Sequence, residues 1–208
     1  FDEGKSGSFL GGIKASTAAL GAMAVAGLAA VGAGLKASFD LAREFEQSMA
    51  DVSAITGATG EELQTLSDLA RDMGATTAHS ATAAAEGIQF LGMAGFDTNQ
   101  IMDALPATLN LASAAGMELG AAADISSNIL SGMGMSAGDL DGVVDKLSQT
   151  SRNANTNVGQ LGEAFKMVGP TASAAGMSFD DTTVSLGLLA NAGLQGGIGG
   201  SSLNSALR

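Results

Sequence analysis

The sequence predicts an all-α fold, and three observations carry that expectation. Thirty glycines and eight phenylalanines stand beside no Trp, Tyr or Cys, so bulk comes from Ala, Leu and Met rather than from the residues strands favour. Apolar residues recur at spacings of three and four. The breaks between these patterns carry Gly or Pro and are followed by Ser, Thr, Asp or Asn, the residues that cap helices. The architecture expected is a long N-terminal helix over 1–57, hydrophobic then amphipathic. A compact multi-helix module follows over 58–194, with Gly and Pro breaks and a degenerate internal duplication. A Gly-rich connector and the start of a further helix close it over 195–208. Because the chain begins at Phe1 and stops at Arg208 within a helical pattern, it reads as a piece of something longer.

Residues 15–35 (ASTAALGAMAVAGLAAVGAGL) hold no charge. As a helix they would span about 31 Å, close to the roughly 30 Å of a bilayer core. Ala18, Ala22, Ala26, Ala30 and Gly34 form a ridge of small side chains suited to close helix contact. Leu20, Met23, Val25, Leu28, Val31 and Leu35 supply the bulk and would face lipid. The segment is too long, and too poorly charged at its start, for a signal peptide. Its richness in Ala also fits a helix packed against protein. From Lys36 to Thr56, Phe39, Ala42, Phe45, Met49, Val52 and Ile55 mark one face, with acidic and basic residues between them. Phe45, Met49 and Val52 continue the small-residue ridge as candidate helix-packing or oligomer contacts, although two heptads alone do not establish association between copies.

After Gly57 the expected helices fall near 61–73, 81–93, 98–115, 119–132, 137–150, 158–169 and 179–192. Thr59 with Glu62 and Ser178 with Asp181 have capping-box spacing. Ser80, Asp97, Ser136 and Asn157 are further N-caps, and Gly74, Gly95, Gly116, Gly134, Gly176 and Gly193 the stops. Pro106 and Pro170 should kink or restart their helices. The duplication is read from Pro106–Met117 against Pro170–Met177, and from Glu86–Gly92 against Glu163–Gly169.

The chemistry-bearing residues form no constellation. His79 is the single histidine and reads as a solvated loop residue. Glu61/Glu62 and Asp180/Asp181 resemble a pair of glycosidase acids, but their places in first helical turns explain them through the helix dipole. GLQGGIGGSS at 193–202 lacks the lysine of a phosphate loop. The methionines from Met93 to Met177 read as core filler. No enzyme, cofactor or metal site is expected. A formal charge of −12, with Arg43, Arg71, Lys146, Arg152 and Lys166 scattered singly, argues against specific nucleic-acid binding.

Four segments together resemble the bacteriophage tail tape-measure family: Phe45–Gly57 (FEQSMADVSAITG), Leu105–Ala115, Gly159–Gly176 and Leu189–Gly196 (LANAGLQG). Their order also fits, with Ala94-Gly95-Phe96 as the family's turn after the first short helices. Ile198–Leu203 departs from the Ala-Gly-Thr-Ala-Leu-like stretch of relatives. The resemblance spans roughly 36–208 and implies no catalytic residues. It implies a structural protein lying in the tail lumen of the virion, determining tail length during assembly and released ahead of DNA to aid ejection across the host inner membrane. Implied partners are further copies of itself, as a trimer, the tail tube protein, distal tail or baseplate hub proteins and tail assembly chaperones. Two other classes compete with this reading: a membrane-inserting pore-forming or toxin-like helical protein, and a helical secretion or adhesin interaction domain.

Overall fold

The computed structural model describes residues 38–208. The chain divides into two compact units, Phe1–Glu46 and Gln47–Arg208. Helix α1 covers residues 38–56, and its residues from Gln47 onward belong to the second unit. Eight more α-helices follow among the described residues: α2 (Glu61–Thr76), α3 (Ala81–Met93), α4 (Thr98–Ala115), α5 (Leu119–Met133), α6 (Leu140–Asn153), α7 (Val158–Ala174), α8 (Phe179–Asn191) and α9 (Gly196–Leu207). The described residues contain no strand. The second unit includes the expected module of 58–194 together with residues on either side of it. Where the glycine composition suggests a connector, residues 196–207 form a whole helix, and α9 packs extensively on α7.

Local chemistry explains most boundaries. Ser80, Asp97, Asn157 and Ser178 each accept a hydrogen bond from the backbone N–H three residues on, which satisfies a donor the helix leaves free. At Asp97 the Gln100 side chain also accepts from the Asp97 N–H at 3.0 Å, closing a reciprocal box. Thr59 does not cap α2. Gly60, at φ 58°, occupies that place and no side chain bonds there. A 3₁₀ turn (Ala137–Asp139) intervenes before α6, where the sequence suggests continuous helix from 137. Gly74 ends nothing: it lies inside α2, and a Cβ there would sit 2.5 Å from the Ala81 backbone nitrogen.

Pro106 lies inside its helix as expected, whereas Pro170 differs from expectation. Pro106 lies within α4, and Pro170 within α7, which continues to Ala174 instead of stopping at 169. Both rings are solvent-exposed, so each removes one backbone donor without displacing core side chains. The true stops are left-handed glycines, Gly116 at φ 60° and Gly176 at φ 76°.

Packing runs in sequence order. The main helix pairs join elements one or two apart along the chain: α2 with α3, α3 with α4 and α5, α4 with α5 and α6, α5 with α7, α6 with α8, α7 with α8 and α9. This is the pattern of a helical array rather than of a bundle around one axis. Leu66, Ile88, Leu91, Ile101, Leu105, Leu109, Ile129, Leu140, Leu147, Leu161 and Phe165 are fully buried along it. Each such side chain contributes about 1.5–3 kcal/mol by leaving water. Phe165 of α7 stacks on Phe179 of α8 with ring centroids 5.1 Å apart.

A sixty-residue register links two stretches of the array. ASAAGM occurs at 112–117 ending α4 and again at 172–177 ending α7. At the start of the same helices, Asp97 with Gln100 corresponds to Asn157 with Gln160, and both pairs cap. Between them Ile101, Ala104 and Leu105 are buried, as are Leu161, Ala164 and Phe165. In this register α4 and α5 stand against α7 and α8. The similarity of Glu86–Gly92 to Glu163–Gly169 falls outside it, since the first lies in α3 and the second in α7.

Candidate functional site

The expected contact residues separate into two groups. Ala18, Ala22, Ala26, Ala30 and Gly34, with Leu20, Met23, Val25, Leu28, Val31 and Leu35, lie outside the described residues. Phe45, Met49 and Val52 retain 9%, 7% and 0% of their surface within a single chain. Met49 and Val52 are core residues of the second unit, and Gln89 of α3 donates to the Ser48 carbonyl at 3.1 Å beside them. Helical spacing cannot distinguish a face buried in its own chain from one buried against another copy. Among the described residues, no helix is long and apolar enough to cross a membrane.

A surface cleft of about 800 Å³ opens between α6 and α8. Met135, Val143 and Phe179 line it with Lys146, Arg152 and Asp180. Lys146 and Asp180 pair across it at 3.3 Å, with the aspartate side chain 66% exposed. Asp139 at its edge accepts from the Ser136 hydroxyl at 2.6 Å and from the Ser136 N–H at 2.9 Å. Those two bonds, the hydroxyl first, hold its carboxyl below the ordinary carboxylate range. The Asp139 carboxylate is thus occupied as a helix cap, and the Lys146–Asp180 pair is open to solvent. Among the described residues no three His, Cys, Asp or Glu side chains gather in a way that would hold a metal ion.

His79 is not freely solvated. It is half-buried, and its Nε2 lies 2.7 Å from the Ser113 hydroxyl and 3.1 Å from the Leu109 carbonyl oxygen. It therefore ties the α2–α3 connection to α4, a role no sequence signal announces. Glu61 and Glu62 occupy the first turn of α2, and Asp180 and Asp181 that of α8, far apart in the chain and each at a helix start.

The closest tertiary contacts are surfaces between helices. The tightest lies between α7 and α9, where a Cβ on Gly200 would run into the Ala164 carbonyl oxygen and Asn204 donates to the Met167 carbonyl at 2.9 Å. Between α5 and α7, Gly162 admits Ile125, and Lys166 reaches Asp124 at 2.7 Å. Hydrogen bonding to Asp124 raises the lysine above its ordinary value; partial burial opposes this, and the charges of Asp124 and Glu163 reinforce it. The largest exposed apolar side chains of the second unit stand at Met93, Leu188 and Ile198, 60%, 66% and 66% exposed.

The sequence model for phage-related minor tail proteins matches residues 67–208. The chain is 36% identical over 171 residues to the tape measure protein of Pneumococcus phage Dp-1. That match takes in 82% of this chain and 15% of the relative's length. No solved structure matches the chain.

Proposed function

The chain belongs to the phage-related minor tail protein family, and on that premise we propose that it is a structural segment of a tape measure, held in the tail lumen of the virion and contributing no catalysis. The similarity to a named tape measure protein carries this reading. Two features of the molecule support it. Its described residues are helices packed on one another through buried apolar faces, and its net charge of −12 disfavours adhesion to DNA moving along the same tube. In this reading the protein determines tail length during assembly and leaves ahead of the genome. Its partners are further copies of itself, the tube protein, the distal hub and the assembly chaperones.

The uncharged stretch 15–35 supplies the membrane-active part of the proposal. It is sheltered by protein in the tail and enters the host inner membrane on release. Val25→Lys with Leu28→Lys would cost about 2.5–3.5 kcal/mol per charge at a bilayer centre. Tails that still assemble but no longer cause potassium efflux on infection are the expected result. Unchanged efflux overturns the membrane role.

The ruler role has its own test, an in-frame deletion of residues 98–153 followed by electron microscopy of tails. If the segment counts toward length as extended helix, tails shorten by up to about 1.5 Å per residue removed. Assembled tails of unchanged length overturn a measuring role for this segment.

A further inference from the structure

Two opposite charges on one face of α6 have no partner within the chain. Gly142, Asp145, Gln149 and Arg152 follow one another at spacings of three and four and are exposed. Leu140, Val143, Val144 and Leu147, on the opposite face, are buried. Other cations of the second unit are answered by acids: Arg71 by Asp68, Lys146 by Asp180, and Lys166 by Asp124 and Glu163. Arg152 joins no ion pair or hydrogen bond among the described residues, and neither does Asp145. The two stand about two turns apart, roughly 10 Å along the axis. Helix α8 lies alongside α6 in the same direction, since Asp180 near its start reaches Lys146 at 3.3 Å and Gly187 further along faces Thr150 and Ala154. Between these contacts Val184 stands level with Gln149, lines a groove with it and is 50% exposed.

An acid and a base two turns apart on one helix face are complementary to the same face reversed. We propose that this face of α6 and α8 is a contact between two copies of the chain, related by a two-fold axis close to Gln149. With the two α6 helices antiparallel, Asp145 of each copy meets Arg152 of the other, and Gln149 lies by its own counterpart. The same rotation sets Val184 against Val184, so apolar surface is buried beside the charges. In a parallel register Asp145 would face Asp145 and Arg152 would face Arg152, which like-charge repulsion opposes. The charge of the chain narrows the choice of face. At −12, two copies repel wherever acidic surfaces meet, and a contact with itself needs a face that supplies its own cations. Exposed ion pairs add little affinity each, so the charges decide register while the apolar contact adds burial. In taking the chain to meet further copies of itself, the proposal rests on the function given above and adds the surface.

The sequence holds no cysteine, so a single Gln149→Cys substitution in the full chain reports the contact. Under mild oxidation it should give a covalent dimer, whereas Ser131→Cys, at an exposed site on α5, should not. Adding either Asp145→Arg or Arg152→Asp to Gln149→Cys should slow cross-linking by about tenfold or more, because like charges then meet across the axis. Mixing these two double variants in equal amounts should restore it, since each copy then carries the charges the other lacks. A mixture that cross-links no faster than its components overturns the proposal, and so does the absence of a cross-link at position 149. Sedimentation of the same variants separates this surface from the wider reading. Assemblies that form without a cross-link at 149 sink the surface and leave association of copies standing, while a chain that is monomeric throughout sinks both.

Discussion

Gly200 lies directly against the backbone of Ala164, so close that any side chain at 200 meets the Ala164 carbonyl. The obstacle is main chain, which cannot rotate aside, so Gly200→Ala must separate α9 from α7. A loss of about 1–3 kcal/mol is expected in urea unfolding. At Gly197, on the same helix, an added Cβ would meet nothing within 4 Å. Gly197→Ala should be neutral or stabilising by up to about 1 kcal/mol, because only helix propensity changes. Equal effects of the two would sink the close-crossing argument.

Lys166 and Asp124 give a pH signature. The folded-state pKa of Lys166 is raised, first by its hydrogen bond to Asp124. Its contribution is therefore fully present below the ordinary lysine value of about 10.4 and lost as pH rises through the higher folded value. With side chains 32% and 56% exposed, solvent screening limits it to under about 1 kcal/mol. Lys166→Met should lose up to that amount at pH 8, and the difference from the parent should vanish in alkaline unfolding experiments above that window.

Ser126 is fully buried in α5, and its hydroxyl has no hydrogen-bond partner among the described residues. An unpaired buried hydroxyl costs free energy that alanine does not. Ser126→Ala should raise stability by ~1 kcal/mol, read as a higher denaturation midpoint at unchanged slope. A loss instead would mean that the hydroxyl is paired.

His79 joins the α2–α3 connection to α4 through Ser113 and Leu109. Its Nε2 must carry a proton to donate to the Leu109 carbonyl. His79→Ala should cost about 1 kcal/mol and speed amide exchange at 77–80 more than elsewhere. Unchanged exchange there would return His79 to the status of a solvated loop residue.

How much is legible follows from the range of the forces involved. Helices at 81–93, 98–115 and 158 onward, the caps at Ser80, Asp97 and Asn157, and the stops at Gly116 and Gly176 depend on residues within one turn of each other. The sequence by itself therefore determined a helical fold over the described residues, much of its punctuation, its acidic charge and its family. Where a glycine faces another helix, the same residue type carries a different meaning that no local pattern reveals. Gly74 has the spacing of a stop and is instead a close approach to Ala81, while the glycines of 196–200 have the composition of a connector and form the helix that packs on α7. Met49 and Val52 show the same limit, since an amphipathic face records that something covers it and not what does. Only the tertiary structure decided those partners, along with the anchoring of His79. Helix–helix partners are set by side-chain volumes meeting across tens of residues of chain, a distance at which spacing of three and four carries no information.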